Sequence, residues 1–163
     1  MMLIQGLPAH VLLVHFLVVL APLTAVLEIV CAIWPAGRRG HLVWLTGLLA
    51  VATALLTPIT ANAGDWLYDL RSHPNPILRQ HAELGDTMIY FAAALLIVAV
   101  VLLALSRFER RSGSSHVAIH LTVAVITLAV GVATLLQTYR IGDSGAQSVW
   151  RNEIAHLRQA NPK

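Results

Sequence analysis

The chain has 163 residues, enough for one ordinary domain, yet 57% of them are hydrophobic and only 12% charged, against roughly 25% charged in soluble domains. The net charge of +3 does not point to nucleic acid, because Lys and Arg lie in short connecting segments and the tail and form no basic stripe. The single cysteine, Cys31, excludes an intrachain disulfide and any CxxC motif, and inside an apolar run it reads as a small buried hydrophobe.

The opening residues MMLIQGLPAH have no basic n-region, and the apolar run after them is longer than a signal-peptide h-region, so the first helix is expected to be retained. Apolar stretches occupy approximately 11–34, 42–63, 87–106 and 117–138, each reaching the ~20 residues that cross about 30 Å of hydrocarbon. In lipid each stretch must satisfy its own backbone, which leaves helix as the state of every span. The expected fold is all-α. It is a polytopic bundle of four transmembrane helices (about 8–34, 41–63, 76–107 and 116–139) forming one domain over 1–141, with both termini on the outer side.

Local signals agree with these boundaries. Pro8 suits a first helical turn, and Asn75-Pro76 reads as a cap followed by proline, so the third helix begins well before its apolar part. Pro22 and Pro58 lie inside spans and are expected to kink them. Segments 35–40 and 107–116 hold Arg38, Arg39, Arg107, Arg110 and Arg111, whereas loop 64–86 carries Asp65, Asp69, Glu83 and Asp86 against Arg71 and Arg79. The positive-inside rule then places the two basic loops in the cytoplasm, although Arg140, Arg151, Arg158 and Lys163 in the tail pull the other way. Trp34 and Trp44 fall at the inner boundary, and Trp66, Tyr68, Tyr90 and Tyr139 near the outer one. Gly47, Ala50, Ala54, Ala92, Ala93 and Gly131 are candidates for close helix approach. Tail 142–163 places Trp150, Ile154 and Leu157 at helical spacing, and reads either as a short amphipathic surface helix or as a solvated tail.

Polar residues sorted by depth mark where chemistry is expected. His10, His15, Asp65, His81 and Asp86 all belong to the outer side. Imidazoles suit haem iron, zinc or copper, and a carboxylate completes a shell or orients a histidine. The candidates are haem b, with His15 and either His81 or His10 as axial ligands, and a transition metal held by His10, His15, His81 and Asp65. His10 and His15 stand about 140° apart around an ideal helix, so they need not face one ligand. The alternative for each histidine is a hydrogen bond to water or a headgroup at the boundary. On the inner side, Glu28 is the only acidic or basic residue within the apolar stretches, and His120 at similar depth is its expected partner. His41 and His116 mark the inner edge. HExxH, GxSxG, GxxxxGK[ST] and GxGxxG signatures are missing, and Gly142-Asp143-Ser144-Gly145 reads as a turn, so no reaction is assigned.

The opening Gly6-Leu7-Pro8-Ala9-His10-Val11-Leu12-Leu13-Val14-His15-Phe16 resembles that of a small bacterial membrane family, domain-of-unknown-function family 2231. Glu28 late in the first helix, Gly64-Asp65-Trp66, Arg79-Gln80-His81-Ala82 and Tyr139–Ala146 follow in the family's order, over roughly residues 5 to 150. Val11 and Leu17 stand where the family pattern has proline, and Asp143 where some members have histidine. The resemblance implies four spans, an outer His/Asp group, a multi-pass protein of the bacterial cytoplasmic (inner) membrane and, through relatives fused to Rieske-type domains, a redox setting.

Two readings of function follow. The first is a membrane protein that binds haem b or a transition metal through the outer histidines. The second is a structural or assembly subunit of a larger membrane complex, or a homo-oligomer, with the lipid bilayer as its partner and no cofactor of its own. A small transporter or quinone-site protein is a third, with only Pro22 and Pro58 to suggest broken helices.

Overall fold

A computed structural model describes residues 3–4, 6–112 and 117–160. A hairpin of β1 (Leu3–Ile4) and β2 (Leu7–Pro8), with Gly6 at φ 82° in its turn, leads into α1 (Ala9–Ile33). Then come the short α2 (Pro35–Arg39), α3 (Leu42–Asp69), α4 (Pro76–Ser112) and α5 (Val117–Ala160). The four long helices carry windows of mean hydropathy 2.0 to 2.9 and are each long enough to cross a membrane. Their outward faces are apolar: Phe16, Leu48, Leu55, Ile97, Leu121 and Leu136 are all more than half exposed. Such a surface is untenable in water and natural in lipid.

The helix ends follow from single residues. Trp34 is extended and breaks α1 from α2, because the ring of Pro35 disfavours helical backbone at the residue before it and suits the first turn of a new helix. Asn75 caps α4 as its sequence predicts, accepting the Leu78 N–H at 2.7 Å on Oδ1. Pro22 and Pro58 both lie within continuous helices, α1 and α3.

In cross-section the order around the bundle is α1, α3, α4, α5, each packed on its neighbours, with α1 and α4 meeting across the shorter diagonal. Successive spans are antiparallel, so the start of α1, the end of α3 and the start of α4 gather at one end with the later part of α5 (the His10 end). The α2 turn occupies the other (the Arg38 end). Small residues set the spacing: a Cβ on Gly131 would lie 2.7 Å from Ile29 Cδ1 and 3.5 Å from the Ala25 carbonyl, and one on Gly47 would lie 3.0 Å from Leu103 Cδ1. Ala50 and Ala92 are buried, but Ala93 faces outward. The densest apolar cluster, Cys31, Ala32, Val43, Val98 and Leu102, sits toward the Arg38 end.

The C-terminal region departs from expectation. No turn interrupts residues 142–145; α5 runs for 44 residues, a length of about 66 Å at 1.5 Å per residue. The two glycines are absorbed into the helix because packing around the cavity described below outweighs their weak local preference against it. A Cβ at Gly142 would meet nothing within 4 Å. Replacing Gly142→Ala therefore stabilises the protein by about 0.5–1 kcal/mol in thermal unfolding of the detergent-solubilised chain; a loss of stability would mean that the backbone there needs a glycine.

Candidate functional site

At the His10 end all four long helices line one cavity of about 580 Å³, within the ~300–1,000 Å³ usual for small-molecule sites. His10 and His15 come from α1, Asp65 from α3, His81 and Asp86 from α4, and Gly145 from α5. The five outer residues singled out in the sequence thus face a common space. A smaller hollow of about 60 Å³ continues from it between His10, His81, Thr57 and Thr60.

His10 and His81 form its centre, with ring centroids 6.3 Å apart and planes at 81°. His10 Nδ1 donates to the Thr60 carbonyl at 3.0 Å. His81 Nδ1 points between the Ile141 carbonyl at 3.0 Å and Ser144 Oγ at 3.2 Å. Since a carbonyl only accepts, each Nδ1 carries the proton and each Nε2 is left as the lone-pair nitrogen, the state in which a histidine binds a metal. Glycines make room for both rings. A Cβ on Gly64 would lie 2.9 Å from His10 Nδ1, and one on Gly145 would lie 3.0 Å from His81 Cε1. Asp65 lies within electrostatic range of His10, Asp69 and Asp86, so this mouth of the bundle is acidic.

His15 is placed differently from the other two. Its Nδ1 donates to the Val11 carbonyl of its own helix, and the side chain is exposed at the cavity edge. The structure does not gather His10, His15, His81 and Asp65 into one shell: among the described residues no three His, Cys, Asp or Glu side chains come close enough to share an ion. The offset of His15 around α1 from His10 is the physical reason.

Nor does the structure bring Glu28 and His120 into a hydrogen bond. Both Glu28 oxygens are buried, with no hydrogen-bond partner among the described residues. His120 instead belongs to a cluster at the Arg38 end. Arg38, 1% exposed, donates through Nη1 to the Cys31 and Ala32 carbonyls at 2.9 and 3.0 Å, and through Nη2 to Glu109 Oε1 at 2.6 Å. His120 Nδ1 lies 3.0 Å from Arg38 Nη2 and 3.2 Å from Glu109 Oε1. It accepts from the guanidinium when unprotonated and donates to the carboxylate when protonated. Ser106 Oγ fastens the turn by donating to the Arg38 carbonyl at 2.9 Å. Sequence reasoning counted Arg38 as a free loop cation and passed over Glu109. The available signal was that Glu109 is the sole acid among Arg107, Arg110 and Arg111. Arg107 itself stacks over Trp44 at 4.8 Å. His41 is exposed at the start of α3, and His116 lies outside the described residues.

Four long apolar helices, closed around a histidine-lined cavity at one end and a buried ion pair at the other, define an integral membrane protein of the four-span bundle class. The chain belongs to domain-of-unknown-function family 2231, described as a predicted membrane protein, whose pattern it matches over residues 6–158. No curated protein and no solved structure matches the chain.

Removing one member of a buried pair strands the other. Glu109→Leu alone is expected to lower unfolding stability by about 3–5 kcal/mol, and Arg38→Met with Glu109→Leu by clearly less. Thermal unfolding in detergent of the two single variants and the double checks this; additive losses would show that the two charges are not coupled.

Proposed function

We propose that the protein binds haem b in the cavity at the His10 end, where His10 and His81 would hold the iron, and works in a redox setting of the bacterial cytoplasmic membrane. The observation that carries this reading is the pairing of two Nδ1-protonated imidazoles from different helices beside a cavity of about 580 Å³. His10 and His81, with ring centroids 6.3 Å apart, would hold the iron through their free Nε2 atoms. Their carbonyl partners fix the tautomer and raise ligand basicity, as around other metal-bound histidines. When bound, the haem supplies one-electron chemistry; the chain orients its ligands, and Val14 and Val18 among the lining residues keep part of the site apolar. His15, exposed and tied to its own turn, is left outside the ligand pair.

Orientation supports the setting. The two short loops at the Arg38 end carry Arg38, Arg39, Arg107, Arg110 and Arg111, and the loop at the His10 end only Arg71 and Arg79; by the positive-inside rule the former face the cytoplasm and the cavity opens outside, against the pull of Arg140, Arg151, Arg158 and Lys163 in the tail.

Protein purified in mild detergent and titrated with haemin is expected to develop a Soret band that saturates at one haem per chain. His10→Ala and His81→Ala each abolish its low-spin form, and His15→Ala keeps it. A wild-type spectrum identical to that of the His10→Ala/His81→Ala double variant would overturn the assignment and favour an assembly subunit without a cofactor.

A further inference from the structure

Glu28 takes no part in the cavity. It is completely buried in the bundle, and neither oxygen meets a hydrogen-bond partner. An ionised carboxylate in that position would bear a desolvation cost with nothing to offset it, so the side chain rests as the neutral acid. Its surroundings are patterned. On α3 the core-facing positions Thr46, Thr53, Thr57 and Thr60 carry hydroxyls where a packed bundle ordinarily has leucine, with Ala50 between the first two. Each of these hydroxyls donates to the carbonyl four residues earlier, at 2.7 to 2.8 Å, which turns lone pairs toward the bundle.

Glu28 is bracketed by two contacts between α1 and this stripe. One turn before it, Thr24 Oγ1 lies 3.3 Å from Thr53 Oγ1; one turn after it, Cys31 Sγ lies 3.7 Å from Thr46 Oγ1. From α5, Thr127 presents a buried hydroxyl oxygen with no partner among the described residues. It stands one turn from Gly131, which packs on Ala25 and Ile29 and so fixes Thr127 near the depth of Glu28.

We propose that Glu28 is the central proton-carrying group of a path through the bundle, joining the His10–His81 cavity to the Arg38–Glu109–His120 cluster. Toward the cavity the hydroxyls of Thr24, Thr53, Thr57 and Thr60 line the way, and the Thr60 carbonyl holds His10. Toward the other end the Cys31 thiol and the Thr46 hydroxyl line it as far as Arg38, which caps the Cys31 carbonyl. There His120 Nδ1 lies between the Arg38 guanidinium and the Glu109 carboxylate. Cys31 on its own helix lies within electrostatic range of both Glu28 and Arg38; Arg38 in turn meets Glu109 from α4 and His120 from α5, while the buried polar side chains of α3 are hydroxyls. The step balances simply. A proton from water at one end is held as the O–H of the Glu28 acid and is lost to water at the other; no electron moves. Haem in the cavity is not required for it.

The test uses the purified full-length chain in phospholipid vesicles with a trapped pH-sensitive dye, energised by a valinomycin-induced potassium diffusion potential. Wild-type vesicles are expected to move protons faster than protein-free ones. Glu28→Gln falls to the protein-free rate, Glu28→Asp keeps part of the flux, and the outward-facing Leu55→Ala matches wild type. Infrared spectra add a readout that a purely structural role would not give: the carbonyl stretch of a protonated carboxylic acid, present in wild type and absent from Glu28→Gln. Wild-type flux no greater than that of protein-free vesicles, or unchanged flux in Glu28→Gln, overturns the proposal. Should Glu28→Gln fail to fold, the wild-type and Glu28→Asp fluxes decide it alone. Because no haemin is added, failure here leaves the cavity assignment standing, and failure of the haemin titration leaves this one standing.

Discussion

Lipid withholds the hydrogen bonds that water would give, and everything polar in this bundle is arranged around that deprivation. A helix crossing hydrocarbon satisfies its own backbone, but its polar side chains must find partners on neighbouring helices or on their own carbonyls. Two solutions are visible. The core threonines of α3 bond back to their own helix, which lets polar residues occupy the interior without cross-links. The charged and aromatic groups concentrate at the two ends, where His10, His81 and Arg38 each reach across to another segment. Glu28 follows neither pattern, and that sets it apart from every other buried acid or base described here.

The two ends differ in how tightly they are built. At the Arg38 end a five-residue helix folds back under the bundle and the two terminal nitrogens of its arginine are held by two carbonyls and a carboxylate, closing that face. At the His10 end, glycines stand where side chains would otherwise fill the gap, and the helices enclose a cavity. Helix spacing is therefore a matter of residue size at a few positions: Gly131 and Gly47 draw helices together, while Gly64 and Gly145 make space for imidazoles.

Much of this was legible in the sequence, for identifiable reasons. Hydropathy and length fixed the four spans, because the bilayer imposes one dimension on all of them. Depth along each span brought His10, His15, Asp65, His81 and Asp86 to one end, and they do line one cavity. Rotation about the helix axis was less accessible. It separates His15 from His10, and it gives His120 to Arg38 and Glu109 rather than to Glu28. Arg38 misled because a cation in a short loop normally faces water, and only its fold-back through α2 buries it. The run Gly142-Asp143-Ser144-Gly145 misled because local preference favours a turn, whereas Ser144 and Gly145 are held in helix by their contact with His81. The threonine spacing on α3 was visible all along and carried information that hydropathy, which scores threonine as nearly neutral, does not register.

The length of α5 carries a mechanical corollary. One uninterrupted helix holds the wall of the cavity, through Ile141, Ser144 and Gly145, and then continues for four further turns to Ala160. A helix is stiff over so short a span, so any tilt imposed on the distal segment near Trp150 and Leu157 swings the carbonyl that positions the His81 ring. The far stretch of this helix is thus continuous with the segment that touches one of the paired imidazoles.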